Sequence, residues 1–287
     1  MHEVIQRIRA ERLARLTSGD PAVTVAVVDG PVDTTHPALA GASLRGIGSA
    51  AGSCRVPGSP ACVHGTFVAG ILAASRDSEA PALCPANPHL LIPIFCEAGD
   101  LRECPVVTPD ALATSVLVAI GAGAKVINLS VGVDRAPLYA SEALEEAARH
   151  AAERGVLLIA AAGNGGRIGP SPLYAHPWVI PVAAGDAAGR PLLRSNLGPG
   201  VGARGLLAPG SGVRSLASGG GYTSLTGTSV AAALVAGTAA LLWAAFPGAS
   251  AADVRNALLR PDIQRRTVVP PPLDADLSLD YLRALAR

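Results

Sequence analysis

The 287-residue chain carries a formal net charge of +1, with 16% charged and 49% hydrophobic residues and a mean hydropathy of +0.38. That balance excludes a disordered or solvating chain, and the lack of a basic cluster excludes a nucleic-acid partner. Aromatic residues make up only 3%, so the core must be built from Ala, Val, Leu and Ile.

Residues 1–20 read as a helical extension, in which Ile5, Ile8, Leu13 and Leu16 fall roughly on one face. Charges recur every few residues there, so no apolar leader is read, and the helix is expected to dock on the domain that follows. No uninterrupted apolar run reaches the ~18 residues of a membrane span, and no membrane partner is expected.

From position 22 short apolar runs alternate with helical patterns. AVTVAVV (22–28) is a buried-strand run, and HGTFVAGILAA (64–74) has helical spacing, with His64 opening the helix. LLIPIF (90–95) is a strand, PDALATSVLVAIGAG (109–123) a helix and KVINLSV (125–131) a strand. SEALEEAARHAAERG (141–155) is an amphipathic helix with a Ser cap, an acidic first turn and a terminal Gly. VLLIAAA (156–162) and WVIPVAA (178–184) continue the strands. TSVAAALVAGTAALLWAAF (228–246) and ADVRNALLR (252–260) are the last helices of the domain.

Unbroken apolar strands alternating with helices predict a three-layer α/β fold, a mostly parallel central sheet with helices on both faces. Nothing splits residues 21–262, which are expected to form one domain. VVPPPL (268–273) starts a C-terminal appendage, residues 263–287, read as an extended arm and a short helix.

The five cysteines, Cys54, Cys62, Cys84, Cys96 and Cys104, lie in one third of the chain and contain no CxxC pair. Their odd number favours reduced thiols and a cytoplasmic location, whereas the Gly- and Pro-rich loops around them would gain from a staple. Pairing stays open. Neither a metal site nor a cofactor is expected.

Three polar signals sit where α/β sheets bind ligands, beyond the carboxyl ends of strands. Asp29 ends the first strand, directly after four apolar residues, and needs a partner if buried. His64 begins a helix kept thin by Gly65, Ala69 and Gly70. Ser229 starts the long apolar helix, whose free N–H groups and positive potential suit a developing oxyanion. Asn164, in the glycine turn AAAGNGG (160–166), could donate its side-chain amide to the same charge. Each also has an ordinary reading: Ser229 as an N-cap, Asn164 as a turn residue, His64 as a solvated helix-start residue. Asp33 reads as a solvated carboxylate or a turn residue and His36 as structural. Together they supply a nucleophile, a base and an orienting acid in the chain order Asp, His, Ser. No histidine follows His176, which rules out the Ser–acid–His order of α/β-hydrolases for Ser229.

On these residues the chain resembles the subtilisin-like (S8) serine peptidases over residues 21–246. AVVDG resembles their aspartate block, HGTFVAG their histidine block and GTSVAAALVAG their serine block, while VINLSVG (126–132) and AAAGN (160–164) resemble the substrate-strand and oxyanion segments. The resemblance implies that Asp29 orients His64, that His64 is the general base for Ser229, and that Asn164 and the Ser229 N–H stabilise the oxyanion. It implies a peptide substrate held in extended form by Ser130 and Gly132, with a pocket lined by Ser130, Val131, Gly132, Ala162 and Gly163. Phe67 stands where the family commonly has a second His, Ala233 and Leu234 where Pro-His is usual, and Gly30-Pro31 where Thr-Gly or Ser-Gly follows the aspartate. These departures leave open a peptide-binding module without turnover. With only residues 1–20 ahead of the domain, the resemblance points to an intracellular enzyme lacking a pro-domain. DGPVD…HP (29–37), LIPIF (91–95) and the cysteine-bearing stretch also resemble the cyanobactin-type maturation proteases, which implies processing of a ribosomal precursor peptide by hydrolysis.

Overall fold

The computed structural model describes residues 2–47, 52–97, 106–131, 141–260, 265 and 267–287. Seven parallel strands make one sheet: β1 (Val25–Asp29), β2 (Leu44–Gly46), β3 (His89–Pro93), β4 (Val126–Leu129), β5 (Leu157–Ala161), β6 (Ile180–Gly185) and β7 (Leu206–Pro209), in the order β2-β3-β1-β4-β5-β6-β7. Their unbroken apolar runs follow from burial on both faces. Val25 and Val27 enter one core while Ala26 and Val28, one residue out of phase, enter the other.

On the first face lie α3 (Pro60–Ala73) and α7 (Thr228–Ala245), backed by α2 (Glu11–Leu16), α8 (Ala251–Leu259) and α9 (Ala275–Leu285). On the other lie α4 (Pro109–Gly121), α5 (Glu142–Glu153) and the short α6 (Pro199–Arg204). Among the described residues α7 is the one helix long and apolar enough to cross a membrane, and 89% of that stretch is buried in the core. An all-apolar helix suits a position packed against the sheet on one side and other helices on the rest. The expected three-layer parallel α/β architecture is thus what forms.

The differences are local. The N-terminal extension is two helices, α1 (His2–Arg7) and α2, because Arg9 takes a left-handed φ of 53° between them. Helix α3 starts at Pro60, so His64 sits in its second turn instead of opening it. Ser59 accepts from the Cys62 N–H and Pro60 fills the first position, a start signal that the sequence carries in plain view. An antiparallel hairpin of β8 (Val213–Leu216) and β9 (Tyr222–Leu225) precedes α7 and went unread in the sequence. After residue 270 the chain runs beside β7, with Leu207 N–H donating to Pro271 and Leu273 N–H donating back to Leu207, before α9 begins.

Candidate active site

The strand order reverses between β3-β1 and β1-β4, and at that switch point the carboxyl ends of β1, β4 and β5 open together. Asp29 is the last residue of β1 and is fully buried. Its Oδ1 accepts from the Gly30 N–H at 2.5 Å and from His64 Nδ1 at 2.6 Å, while Oδ2 has no partner among the described residues. Pro31, which has no N–H, follows the Gly30 donor.

His64 reaches Asp29 because α3 lies almost against the loop after β1. A side chain at Gly65 would meet the Gly30 carbonyl oxygen at 2.3 Å, so only glycine permits this approach. With Nδ1–H donated to the carboxylate, the neutral ring leaves Nε2 as an acceptor, 2.8 Å from Ser229 Oγ. Burial opposes charge on His64, but the charge and hydrogen bond of Asp29 outweigh it and raise its pKa above the ordinary value. Ser229 itself is 6% exposed and is the second residue of α7, so its N–H is among those with no partner inside the helix.

Asn164 follows β5 and is oriented by Thr228. The Thr228 N–H donates to Asn164 Oδ1 at 2.9 Å, and the Thr228 hydroxyl lies 3.3 Å from the same oxygen. An N–H can face only the amide oxygen, so Nδ2 is turned away as a donor. The Thr228 hydroxyl also accepts from the Gly163 N–H at 3.1 Å. This residue, unread in the sequence although it adjoins Ser229, therefore couples the β5 turn to the start of α7.

The expected peptide-binding residues fall at the same end of the sheet. Ser130 and Val131, both buried, follow β4; the Asn128 amide donates to Ser130 Oγ at 2.7 Å. Ala162 and Gly163 follow β5, and their carbonyls already accept from Asn196, through its side chain and its backbone N–H respectively. They can line a pocket wall but are occupied as main-chain acceptors. Gly132 lies outside the described residues.

Among the departures, Phe67 is fully buried and its carbonyl accepts from Ser215 Oγ; Ala233 and Leu234 are fully buried in α7. All three are core residues, and none occupies the Asp29–His64–Ser229 contacts. Of the two readings of Asp33, the solvated carboxylate fails, since it is 8% exposed, and the turn residue holds, with the Thr35 N–H donating to its Oδ1; His36 is 4% exposed. The pairing that the sequence left open resolves toward the staple: Cys54 and Cys62 form a disulfide across a Cα–Cα distance of 5.6 Å, and Cys96 is also disulfide-bonded. Cys84 remains a buried thiol, pushed up to about 12 by burial and so unreactive. Among the described residues one group has metal-ligand geometry, Cys54, Cys62 and Glu97, and its two sulfurs are joined in the disulfide.

The family model for peptidase S8, the subtilase family, matches residues 20–265. The chain is 34% identical over 85% of its length to a thermophilic serine proteinase of Bacillus sp. (strain AK1), of which it spans 57%. It is 32% identical to thermitase of Thermoactinomyces vulgaris, covering 88% of this chain and 85% of thermitase. Among solved structures, the prenylagaramide maturation protease PagA superposes with a TM-score of 0.81 at 33% identity, covering 95% of this chain and 97% of that one. The patellamide maturation protease PatA gives 0.77 at 32%, covering 93% and 98%.

Proposed function

The chain belongs to the subtilase family of serine proteases, and from that premise we propose that Ser229 is its nucleophile, His64 its general base and Asp29 the acid that orients the base. The single observation that carries this assignment is the continuous relay of two hydrogen bonds, 2.6 Å from Asp29 to His64 and 2.8 Å from His64 to Ser229. Ser229 Oγ attacks the scissile carbonyl as His64 Nε2 takes its proton. The same proton then passes to the leaving amine, and water hydrolyses the acyl-enzyme in the reverse sense. The Ser229 N–H and Asn164 Nδ2 receive the oxyanion. An extended peptide pairs beside Ser130–Gly132 and places its side chain against Val131, Ala162 and Gly163.

The likeness to the maturation proteases PagA and PatA supports a precursor peptide as substrate, cut by hydrolysis. A fluorophosphonate should label Ser229, identified by mass spectrometry of the modified peptide, and Ser229→Ala should lose both label and cleavage. Removing one triad member drops kcat by about 10⁴–10⁶-fold. A Ser229→Ala protein that cleaves within tenfold of wild type would falsify the assignment.

A further inference from the structure

The loop after β1 holds a second carboxylate that the relay does not use. Asp33 is buried, yet among the described residues no Arg or Lys pairs with it. All its partners are neutral donors. Oδ1 accepts from the Thr35 hydroxyl at 2.6 Å and the Thr35 N–H at 3.2 Å, and Oδ2 accepts from the Gly219 N–H at 2.8 Å. Its own N–H donates to Thr66 Oγ1 at 2.8 Å. Burial opposes its charge, but the Thr35 and Gly219 bonds outweigh that and keep its pKa below the ordinary carboxylate range.

The partners belong to three separate parts of the chain. Asp33 is four residues past Asp29; Thr66 is two residues past His64 on α3; and Gly219 is at the tip of the β8–β9 hairpin that leads through Gly227 into Ser229. Resting on the reading of Asp29, His64 and Ser229 as the triad, we propose that Asp33 is a positioning residue for this reaction, tying the three segments that carry the triad into one register.

The hairpin needs such a tie. Gly219, Gly220 and Gly221 take φ values of 83°, 104° and 74°, conformations that glycine adopts freely, so the tip has no strong local preference of its own. The base of the hairpin is fixed by the Gly227 N–H bond to the Gly210 carbonyl at 2.9 Å. Its tip is fixed from the Asp29 side: by Asp33, and by His36. His36 Nδ1 accepts from the Ala38 N–H at 3.1 Å, so the neutral ring carries its proton on Nε2 and donates it to the Gly221 carbonyl at 2.8 Å. The tip and the base hold β9 at both ends, and Ser229 lies beyond the second.

Acylation is sensitive to this register because misplacing the reacting groups by on the order of 1 Å can cost about 10²-fold. Asp33→Asn tests it: an amide has one acceptor oxygen and cannot serve both the Gly219 and the Thr35 N–H groups. At 25 °C, kcat and the rate of fluorophosphonate labelling should fall together by about 10- to 100-fold. KM should stay within about twofold, since the peptide-binding residues are untouched, and the midpoint of the pH–rate profile should not move. Thr66→Val, which removes the acceptor for the Asp33 N–H along with the 3.8 Å contact to Cys62 Sγ, should lower kcat in the same way, and Thr66→Ser should restore it; this pair decides the matter if Asp33→Asn does not fold. A fall in melting temperature with kcat and labelling rate unchanged would overturn the proposal, as would a rise in KM alone or a shifted pH midpoint with an unchanged plateau. If wild-type Ser229 takes no label, the triad reading fails first, which is a distinguishable result.

Discussion

Two regions of this molecule are held together in opposite ways. At the cleft, β1, α3 and the start of α7 meet through short hydrogen bonds between buried or half-buried groups and a glycine contact that leaves no room for a methyl group. Between the N-terminal extension and α9 the joints are exposed ion pairs, Arg9–Asp274 at 2.7 Å and Arg12–Asp280 at 3.1 Å. Both sets connect segments remote in sequence, and both look equally orderly as contact lists. The difference lies in the solvent. Buried bonds in a low dielectric are costly to lose, whereas an exposed pair exchanges its partner for water almost freely. The cleft is therefore where a single atom should matter.

The largest effect expected short of removing the triad is at Asn164. Asn164→Asp keeps an acceptor for the Thr228 N–H but replaces the Nδ2 donor with a charge that repels the oxyanion. Loss of one oxyanion donor costs about 10²–10³ in kcat, so kcat should fall at least that far while the melting temperature moves little. A kcat within fivefold of wild type would remove Asn164 from the oxyanion site.

Next comes pH. Because Asp29 raises the His64 pKa, the acid limb of kcat/KM should have its midpoint above the usual ~6.5 and fall about tenfold per unit below it. Stability runs the other way. A raised pKa means that the folded state favours protonated His64, so this contribution is fully present below ~6.5 and is lost as pH rises through the folded value. Activity should thus be lost on the acid side before any loss of fold attributable to this residue, a separation that pH–rate profiles and thermal melts over the same buffers would reveal or refute.

Gly65→Ala attacks the same end sterically. A Cβ 2.3 Å from the Gly30 carbonyl must push α3 off the β1 loop. Overpacking of this kind costs on the order of 1–3 kcal/mol. The melting temperature should drop by roughly 3–10 °C, and kcat should fall because His64 moves with the helix. An unchanged melting temperature would show that the loop yields without cost and that the contact is not a constraint.

How far this division could be read from the sequence depends on the range of the interaction. The strands and the core helix α7 were legible because their apolar runs are continuous, and Asp29, His64, Ser229 and Asn164 because each stands at the end of one. The start of α3 was also written locally, in Ser59-Pro60, but the glycines after His64 drew the boundary four residues late. Asp33 was read correctly as a turn residue but not as a buried one. The Pro/Gly-started loop gives the turn, and nothing in the neighbourhood announces a Gly219 N–H arriving from 186 residues away. The β8–β9 hairpin was missed because four-residue strands of mixed polarity carry no usable period. The disulfide between Cys54 and Cys62 depends on the loop geometry that brings them together, which spacing alone does not supply.

The smallest effect is expected at the joint between the N-terminal extension and α9. Arg12→Ala removes the bond to Asp280 and the longer contact to Asp276 at 3.5 Å. Asp280 faces water and Asp276 keeps Arg9 at 3.7 Å, while in wild type the Arg12 side chain gives up rotamer freedom to hold them. These terms nearly cancel, so the melting temperature should stay within about 2 °C of wild type and activity should be unchanged. The residual difference should shrink further in 1 M salt, where the Debye length is about 3 Å and the pair is screened across its own separation. A large, salt-independent drop would mean that this joint behaves like the cleft, and that burial is not what separates the two.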